Sequence, residues 1–227
     1  AAWIVECALG MHRATLHADA QRIVTSAHWS YAMALLERRA AREPLQYILG
    51  TQEFCGLQFD VGPEVLIPRP ETELLVEEVV RCCAGSPWPR IADIGTGSGC
   101  IAVALADRLP RARLYAVDLS MPALDLAQHN AARHGVKDRI TFLQGDLVEP
   151  LQDHGCEYGS EGRFAAIVSN PPYIADAELS ALSPEVAKYE PQAALSGGPD
   201  GLAIIRRLLH EAPTFLAPGG PVILEMA

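Results

Sequence analysis

Four consecutive residues, Asn170-Pro171-Pro172-Tyr173, put an amide side chain, a stiff backbone carbonyl and an aromatic ring next to one another. That set suits alkylation of a planar NH2 group. An amide or aryl-amine nitrogen is a poor nucleophile because its lone pair is delocalised. Two acceptors, the Asn170 side-chain oxygen and the Pro171 carbonyl, can each take one of its N–H bonds. They would hold the nitrogen toward an electrophile and stabilise the charge that develops on it. Tyr173 can cover one face of the planar group. The plainer reading is a strand ending in a proline-stiffened turn, with Asn170 satisfying its own backbone. Phe164–Val168, just before, is an apolar run of the length of a fully buried strand. The two prolines must end that strand, and they hold the residues before them extended. The cluster is therefore expected at the carboxyl end of a buried strand, where open α/β sheets bind ligands.

A second candidate lies upstream, in Asp93-Ile94-Gly95-Thr96-Gly97-Ser98-Gly99, between a predicted strand and a predicted helix. Its glycines allow a sharp turn and a close backbone approach to a ligand. A dinucleotide fingerprint would place its third glycine at position 100, where the sequence has Cys100. Asp118 closes the next predicted strand, suitably placed to accept hydrogen bonds from ribose hydroxyls. Taken without the loop, Asp118 reads equally well as an acid at a helix start. The loop and its acids resemble the S-adenosylmethionine loop of class I methyltransferases, with overlap toward NAD-binding proteins. An electrophilic methyl and a site shaped for an NH2 nucleophile are the two halves of one reaction.

The elements that must position these groups alternate. From Ile91 onward strands and helices succeed one another: strand Ile91–Ile94, helix Cys100–Leu109, strand Arg113–Val117, a helix capped by Ser120 and reaching His134, and strand Ile140–Leu143. Residues 147–163 read as a polar loop. Asp176–Leu182 reads as a short helix, Tyr189–Gly201 as an irregular loop, Leu202–Phe215 as a helix and Val222–Met226 as a final apolar strand, expected at an exposed edge. Upstream, Glu53–Ile67 changes to a two-residue period with Gly56 and Gly62, predicting a β-hairpin. Residues 1 to about 50 read as helices.

Composition narrows the class. With 227 residues, 49% of them hydrophobic and 20% charged, the chain reads as globular, with room for one large core and a smaller appendage. A formal charge of -10 argues against a broad footprint on nucleic acid. The six cysteines form no CxxC pair and read as reduced, mostly buried thiols of a cytoplasmic protein. No HExxH pattern supports a metal site, and neither a membrane-length apolar run nor a signal segment is present.

Four segments together resemble the HemK/PrmC family of peptide chain release factor glutamine N5-methyltransferases. They are IPRPETE (Ile67–Glu73), DIGTGSGCIAVALA (Asp93–Ala106), VSNPPYI (Val168–Ile174) and YEPQAALSGGPDGL (Tyr189–Leu202). The resemblance implies an α/β chain with a Rossmann-like, mostly parallel methyltransferase sheet, an N-terminal helical domain and a β-hairpin linker. It divides the chain into a partial helical, substrate-recognition domain (1–52), the linker (53–70) and the methyltransferase domain (71–227), the last without its final strands. It implies that Gly95, Thr96, Gly97, Ser98, Gly99 and Asp118 bind S-adenosylmethionine, with Asp146 and Leu147 beside its adenine. Some family members carry tryptophan where Leu147 stands. Asn170 would touch both cofactor and substrate, and Asn170, Pro171, Pro172 and Tyr173 would form the glutamine pocket, with Asn170, Pro171 and Tyr173 as the catalytic set. The implied partner is a class 1 peptide chain release factor, methylated in its GGQ motif, with no membrane and no direct nucleic-acid contact. Competing readings are a glutamine methyltransferase of a large-subunit ribosomal protein, an adenine-N6 DNA methyltransferase, and a non-catalytic nucleotide-binding module. The DNA enzyme would need a basic, groove-reading segment.

Overall fold

The computed structural model describes residues 2–19, 21–155 and 163–226. Part of the polar loop predicted over 147–163, including Cys156, lies outside the described residues.

Five parallel strands form the main sheet: β3 (Arg90–Ile94), β4 (Arg113–Asp118), β5 (Ile140–Gln144), β6 (Ala166–Ser169) and β7 (Val222–Leu224), in the order β5-β4-β3-β6-β7. β3 is central and pairs with β6 from Ile91↔Ala166 to Ile94↔Ser169. The glycine loop after β3 and the prolines after β6 therefore leave the sheet side by side, at the place where connections diverge to opposite flanks.

Residues of β3 alternate between two cores, as a strand buried on both faces requires. Ile91 packs on one side with helices α5 (Glu73–Cys83) and α6 (Cys100–Arg108), whereas Ala92 and Ile94 pack on the other with helix α10 (Ala203–Glu211). Every residue of α6 from Cys100 to Ala106 is buried, which explains why its sequence is apolar all round. Helix α7 (Met121–Arg133) begins at Ser120, whose hydroxyl accepts from the Ala123 N–H. Helix α8 (Gln152–Gly155) and α9 (Pro184–Tyr189) are short.

The hairpin is shorter than Glu53–Ile67. It consists of β1 (Thr51–Phe54) and β2 (Leu57–Asp60), joined through Cys55 and Gly56, both at positive φ. Two such residues make the mirror-image turn that matches strand twist. The apolar residues beyond it, Val61, Val65 and Ile67, are buried against Tyr47 and Ala123 without forming a strand. Asn130 of α7 pins β2: it accepts from the Asp60 N–H at 2.8 Å and donates to the Asp60 carbonyl at 3.0 Å.

Helices α1 (Ala2–Leu9), α2 (Arg13–Ala18), α3 (Ser26–Ala40) and α4 (Leu45–Leu49) precede the hairpin. Their small core holds Ile4, Ala8, Leu35 and Ile48. Three further expectations need correction. The helix predicted over Asp176–Leu182 is only a 3-10 turn at Leu179–Ala181, while α9 follows it, with Pro184 preset for a first helical turn. The cysteines are not mostly buried: Cys83 and Cys100 are, Cys7 and Cys55 are half-buried, and Cys82 is exposed. β7 takes the sheet edge, half-buried instead of exposed.

Candidate active site

After Ile94 the backbone turns through Gly95–Gly99 into α6. The Gly95 and Thr96 N–H groups both donate to the Val117 carbonyl, at 2.8 and 2.9 Å, which folds the loop over the end of β4. Gly99 has φ +79°, and a Cβ there would stand 2.9 Å from the Ala127 Cβ, so helix packing and backbone conformation both demand glycine.

Two acids hold the loop from opposite sides. Asp118 accepts from the Gly97 N–H at 2.8 Å through Oδ2 and from the Ser120 N–H at 2.9 Å through Oδ1. It is thus a helix-start acid and a clamp on the glycine loop at once. Asp93 is fully buried. Its Oδ2 accepts from the Thr96 hydroxyl at 2.7 Å and the Ala102 N–H at 3.1 Å, while Oδ1 has no partner among the described residues. Burial pushes this carboxyl up to about 7, against the pull of the two hydrogen bonds, and the Asp118 charge adds to the rise.

The end of β6 is tied to the end of β3 by the Ser169 hydroxyl, which donates to the Ile94 carbonyl at 2.6 Å. Asn170 then donates through Nδ2 to the Thr72 hydroxyl at 3.2 Å. That contact assigns the amide's donor end to the protein. Asn170 Oδ1 and the Pro171 carbonyl accept no hydrogen bond among the described residues.

Behind the prolines the chain is clamped by residues 195–201. Ile174 donates to the Leu195 carbonyl at 3.0 Å and accepts from the Gly197 N–H at 2.8 Å. Gly201, at φ +76°, lies so close that a Cβ would come within 2.4 Å of the Tyr173 carbonyl.

A cavity of about 500 Å³ opens between the two segments, a size suited to a small-molecule ligand. Gly95, Thr96, Gly97, Ser98, Asp118 and Leu147 line it on one side, with Asp146 beside them; Thr72, Asn170 and Pro172 line it on the other. Gly99 lies outside the lining, packed on α7. Pro171 is buried behind the wall, and Tyr173 stands half-buried beyond the rim, its hydroxyl 3.5 Å from Glu225 Oε1. Burial and then the Glu225 charge raise the Tyr173 phenol. Asp146 pairs with Arg207 at 2.8 Å, and Leu147 takes a left-handed backbone at φ +49°. That conformation is uncommon for a branched side chain and costs about 1–2 kcal/mol.

Residues 54–188 match the Methyltransferase small domain family, and residues 1–50 match the PrmC N-terminal domain. The release factor glutamine methyltransferase of Geobacter sulfurreducens is 50% identical over 224 residues, 99% of this chain and 75% of that protein. The chain belongs to the release factor glutamine methyltransferase family. The corresponding enzyme of Gloeobacter violaceus is 41% identical over 225 residues, covering 99% of this chain and 76% of its own. Among solved structures, the catalytic domain of hMettl16 in complex with MAT2A 3'UTR hairpin 6 aligns at a TM-score of 0.56 and 20% identity. The alignment covers 75% of this chain and 61% of that one, and it bears on the fold alone.

Three residues of this release factor glutamine methyltransferase family member were not singled out from sequence, although they lie in the quoted segments. Thr72, only 2% exposed, orients Asn170. Arg69 lines the cavity and is held at 2.6 Å by Glu190, whose side chain is wholly buried. The partners in these pairs are about 100 residues apart or more, and no local periodicity signals such contacts.

Proposed function

We propose that this methyltransferase binds S-adenosylmethionine in the cavity and methylates the side-chain amide nitrogen (N5) of a glutamine in the GGQ motif of a class 1 release factor. The observation that carries the proposal is the state of Asn170: its donor end is committed to Thr72, while Oδ1 and the Pro171 carbonyl are left as two acceptors for one NH2 group.

The residues present fit the cofactor. Ser98 Oγ is buried with no hydrogen-bond partner among the described residues where the glycine loop meets the cavity, and the loop's backbone leaves room for close approach. Asp118 has lone pairs remaining on both carboxylate oxygens for ribose hydroxyls. Leu147 offers an apolar side chain beside the position expected for the adenine, in place of an aromatic one. Arg69 is the cation among the lining residues and suits a carboxylate. S-adenosylmethionine supplies an electrophilic methyl on a sulfonium, leaving as a neutral thioether. Asn170 and Pro171 would hold the amide nitrogen toward that methyl, and both hydrogen bonds would strengthen as the nitrogen gains positive charge. The surplus proton of the methylated nitrogen would be lost to solvent, since neither an amide oxygen nor a peptide carbonyl is basic enough to keep it. Pro172 forms the floor of the glutamine pocket, and Tyr173 its outer rim.

Residues 1–52 are assigned to substrate recognition, 53–70 to the linker and 71–227 to catalysis. The helices reach the catalytic side through α9: Arg39 and Arg42 both pair with Glu185, at 3.0 and 2.7 Å, and the Tyr189 hydroxyl donates to the Ala41 carbonyl. A release factor as substrate would place the reaction in the cytoplasm. No described helix is long and apolar enough to cross a membrane.

Incubation with methyl-labelled S-adenosylmethionine and, in parallel, a release factor, large-subunit ribosomal proteins and DNA tests the proposal. Label on the release factor is expected. Label confined to ribosomal protein or to DNA would replace it with one of the competing readings, and cofactor binding without transfer would leave only a nucleotide-binding module.

A further inference from the structure

Arg69 is fixed in the cavity lining at both its backbone and its side chain. Its backbone is extended between Pro68 and Pro70, and its carbonyl accepts from the Thr72 N–H at 3.1 Å. Its guanidinium donates through Nη2 to Glu190 Oε1 at 2.6 Å. Glu190 directly follows α9; its N–H donates to the Val186 carbonyl at 3.0 Å, and its side chain is wholly buried. The Arg69 side chain, by contrast, is 33% exposed, and its Nε and Nη1 make no hydrogen bond among the described residues. These two nitrogens are accessible on a residue that lines the cavity, so a ligand there can meet them.

Charge decides which ligand group they suit. Arg69 is the only lysine, arginine or histidine among the described lining residues. A cation on the carbonyl oxygen of a target amide would deepen the delocalisation that makes its nitrogen a poor nucleophile. That oxygen is therefore a poor partner for Arg69, and a carboxylate is a good one. The amino-acid end of S-adenosylmethionine carries a carboxylate, but its sulfonium is positive, and an uncompensated arginine in the same cavity would repel it. A buried counter-charge that leaves the arginine able to donate resolves this conflict.

We infer that Arg69 receives the carboxylate of the cofactor, and that Glu190 is a positioning residue that fixes the guanidinium and cancels its charge toward the sulfonium. This inference rests on the proposed S-adenosylmethionine site and assigns within it the contact that recognises the amino-acid end.

The test measures calorimetric Kd values, with melting temperatures, for three ligands. S-adenosylmethionine has both charges, S-adenosylhomocysteine keeps the carboxylate without the sulfonium, and decarboxylated S-adenosylmethionine keeps the sulfonium without the carboxylate. The wild-type chain should prefer S-adenosylmethionine to its decarboxylated form about tenfold, and Arg69→Met should abolish that preference. Glu190→Gln should weaken S-adenosylmethionine about fivefold more than S-adenosylhomocysteine, because only the first carries the sulfonium. The double variant Arg69→Met/Glu190→Gln, neutral again, should return the ratio of those two Kd values to within twofold of wild type. No preference in the wild type, or one that Arg69→Met keeps, overturns the assignment of Arg69. A ratio within twofold of wild type in Glu190→Gln, even with a lowered melting temperature, makes the pair a structural tie and overturns the role of Glu190. Should Glu190→Gln fail to fold, the double variant decides, since it leaves neither charge unpaired. A wild-type ratio there supports the neutral pair, and a ratio outside twofold overturns it. A wild-type chain that binds neither S-adenosylmethionine nor S-adenosylhomocysteine would overturn the proposed cofactor site itself.

Discussion

The two walls of the cavity are built in different ways. The glycine-loop wall is local: Asp93, Gly95–Gly99 and Asp118 lie on consecutive strand–turn–helix units, and the loop is held by backbone N–H groups donating to Val117 and Asp118. The wall around Asn170 is assembled from distant pieces: Thr72 orients the amide, Gly197 and Gly201 press on the turn, and Glu225 meets Tyr173. The first wall is set by backbone geometry and the second by tertiary contacts. Damage to the first should appear in cofactor affinity, and damage to the second in turnover.

The largest expected effect is at Asn170. Asn170→Asp keeps the size and an acceptor but adds a negative charge that, in the proposed site, would lie near the sulfonium and stabilise the bound cofactor more than the transition state. Turnover should fall by about 3–4 kcal/mol, by analogy with loss of an oxyanion-hole donor. Cofactor affinity by calorimetry should match or exceed wild type; a parallel loss of both would erase the distinction between the walls.

Glycine-to-alanine changes on the two walls make a matched pair. Gly99→Ala meets Ala127 and Gly201→Ala meets the Tyr173 carbonyl, both at positive φ, so each should lower stability by about 2–3 kcal/mol. Their functional signatures should differ: Gly99→Ala raises cofactor Kd, and Gly201→Ala lowers kcat with Kd nearly unchanged. Identical signatures would show that the cavity responds as one unit.

Asp118→Ala removes the clamp on Gly97 and, in the proposed cofactor site, the acceptor for the ribose. Cofactor binding should weaken by about 1.5–3 kcal/mol, with the KM for the protein substrate unaltered. Unchanged calorimetric affinity would reduce Asp118 to its helix-start role.

Asp93 gives the first wall a pH dependence on the acid side of neutrality. Its folded value of about 7 lies above the ordinary carboxylate range, so between about pH 4 and 7 the folded chain keeps a proton that the unfolded chain has lost. Stability should therefore fall as pH rises through that window, by at most about 1.4 kcal/mol per pH unit from this group. Denaturant titrations of Asp93→Asn should show that component of the slope gone; an unchanged slope would mean the proton sits elsewhere. The smallest effect is expected for Thr72→Val, about 1 kcal/mol in kcat from a loosened Asn170. A change in cofactor Kd instead would move Thr72 to the other wall.

The same contrast explains what could be read from the sequence. Strand Arg90–Ile94, its glycine turn and helix Cys100–Arg108 follow from residues adjacent in the chain, and their bounds fell within a residue of expectation. The hairpin runs from Thr51 to Asp60 and not from Glu53 to Ile67, because the apolar residues Val61, Val65 and Ile67 imitate a strand but are buried without pairing. Helix Pro184–Tyr189 was hidden because it has only 6 residues, too few for a periodic pattern, although Pro184 marks its start. The pairing of Arg69 with Glu190 and of Asn170 with Thr72 joins segments whose separation no local rule spans.

This site transfers a methyl group to an amide nitrogen. Tandem mass spectrometry of a release factor after incubation with the wild-type chain and S-adenosylmethionine tests it most directly. One added methyl is expected on the side-chain nitrogen of a single glutamine, and none with Asn170→Asp. A methyl on any other residue type, or an unmodified release factor beside a methylated DNA adenine, would contradict it.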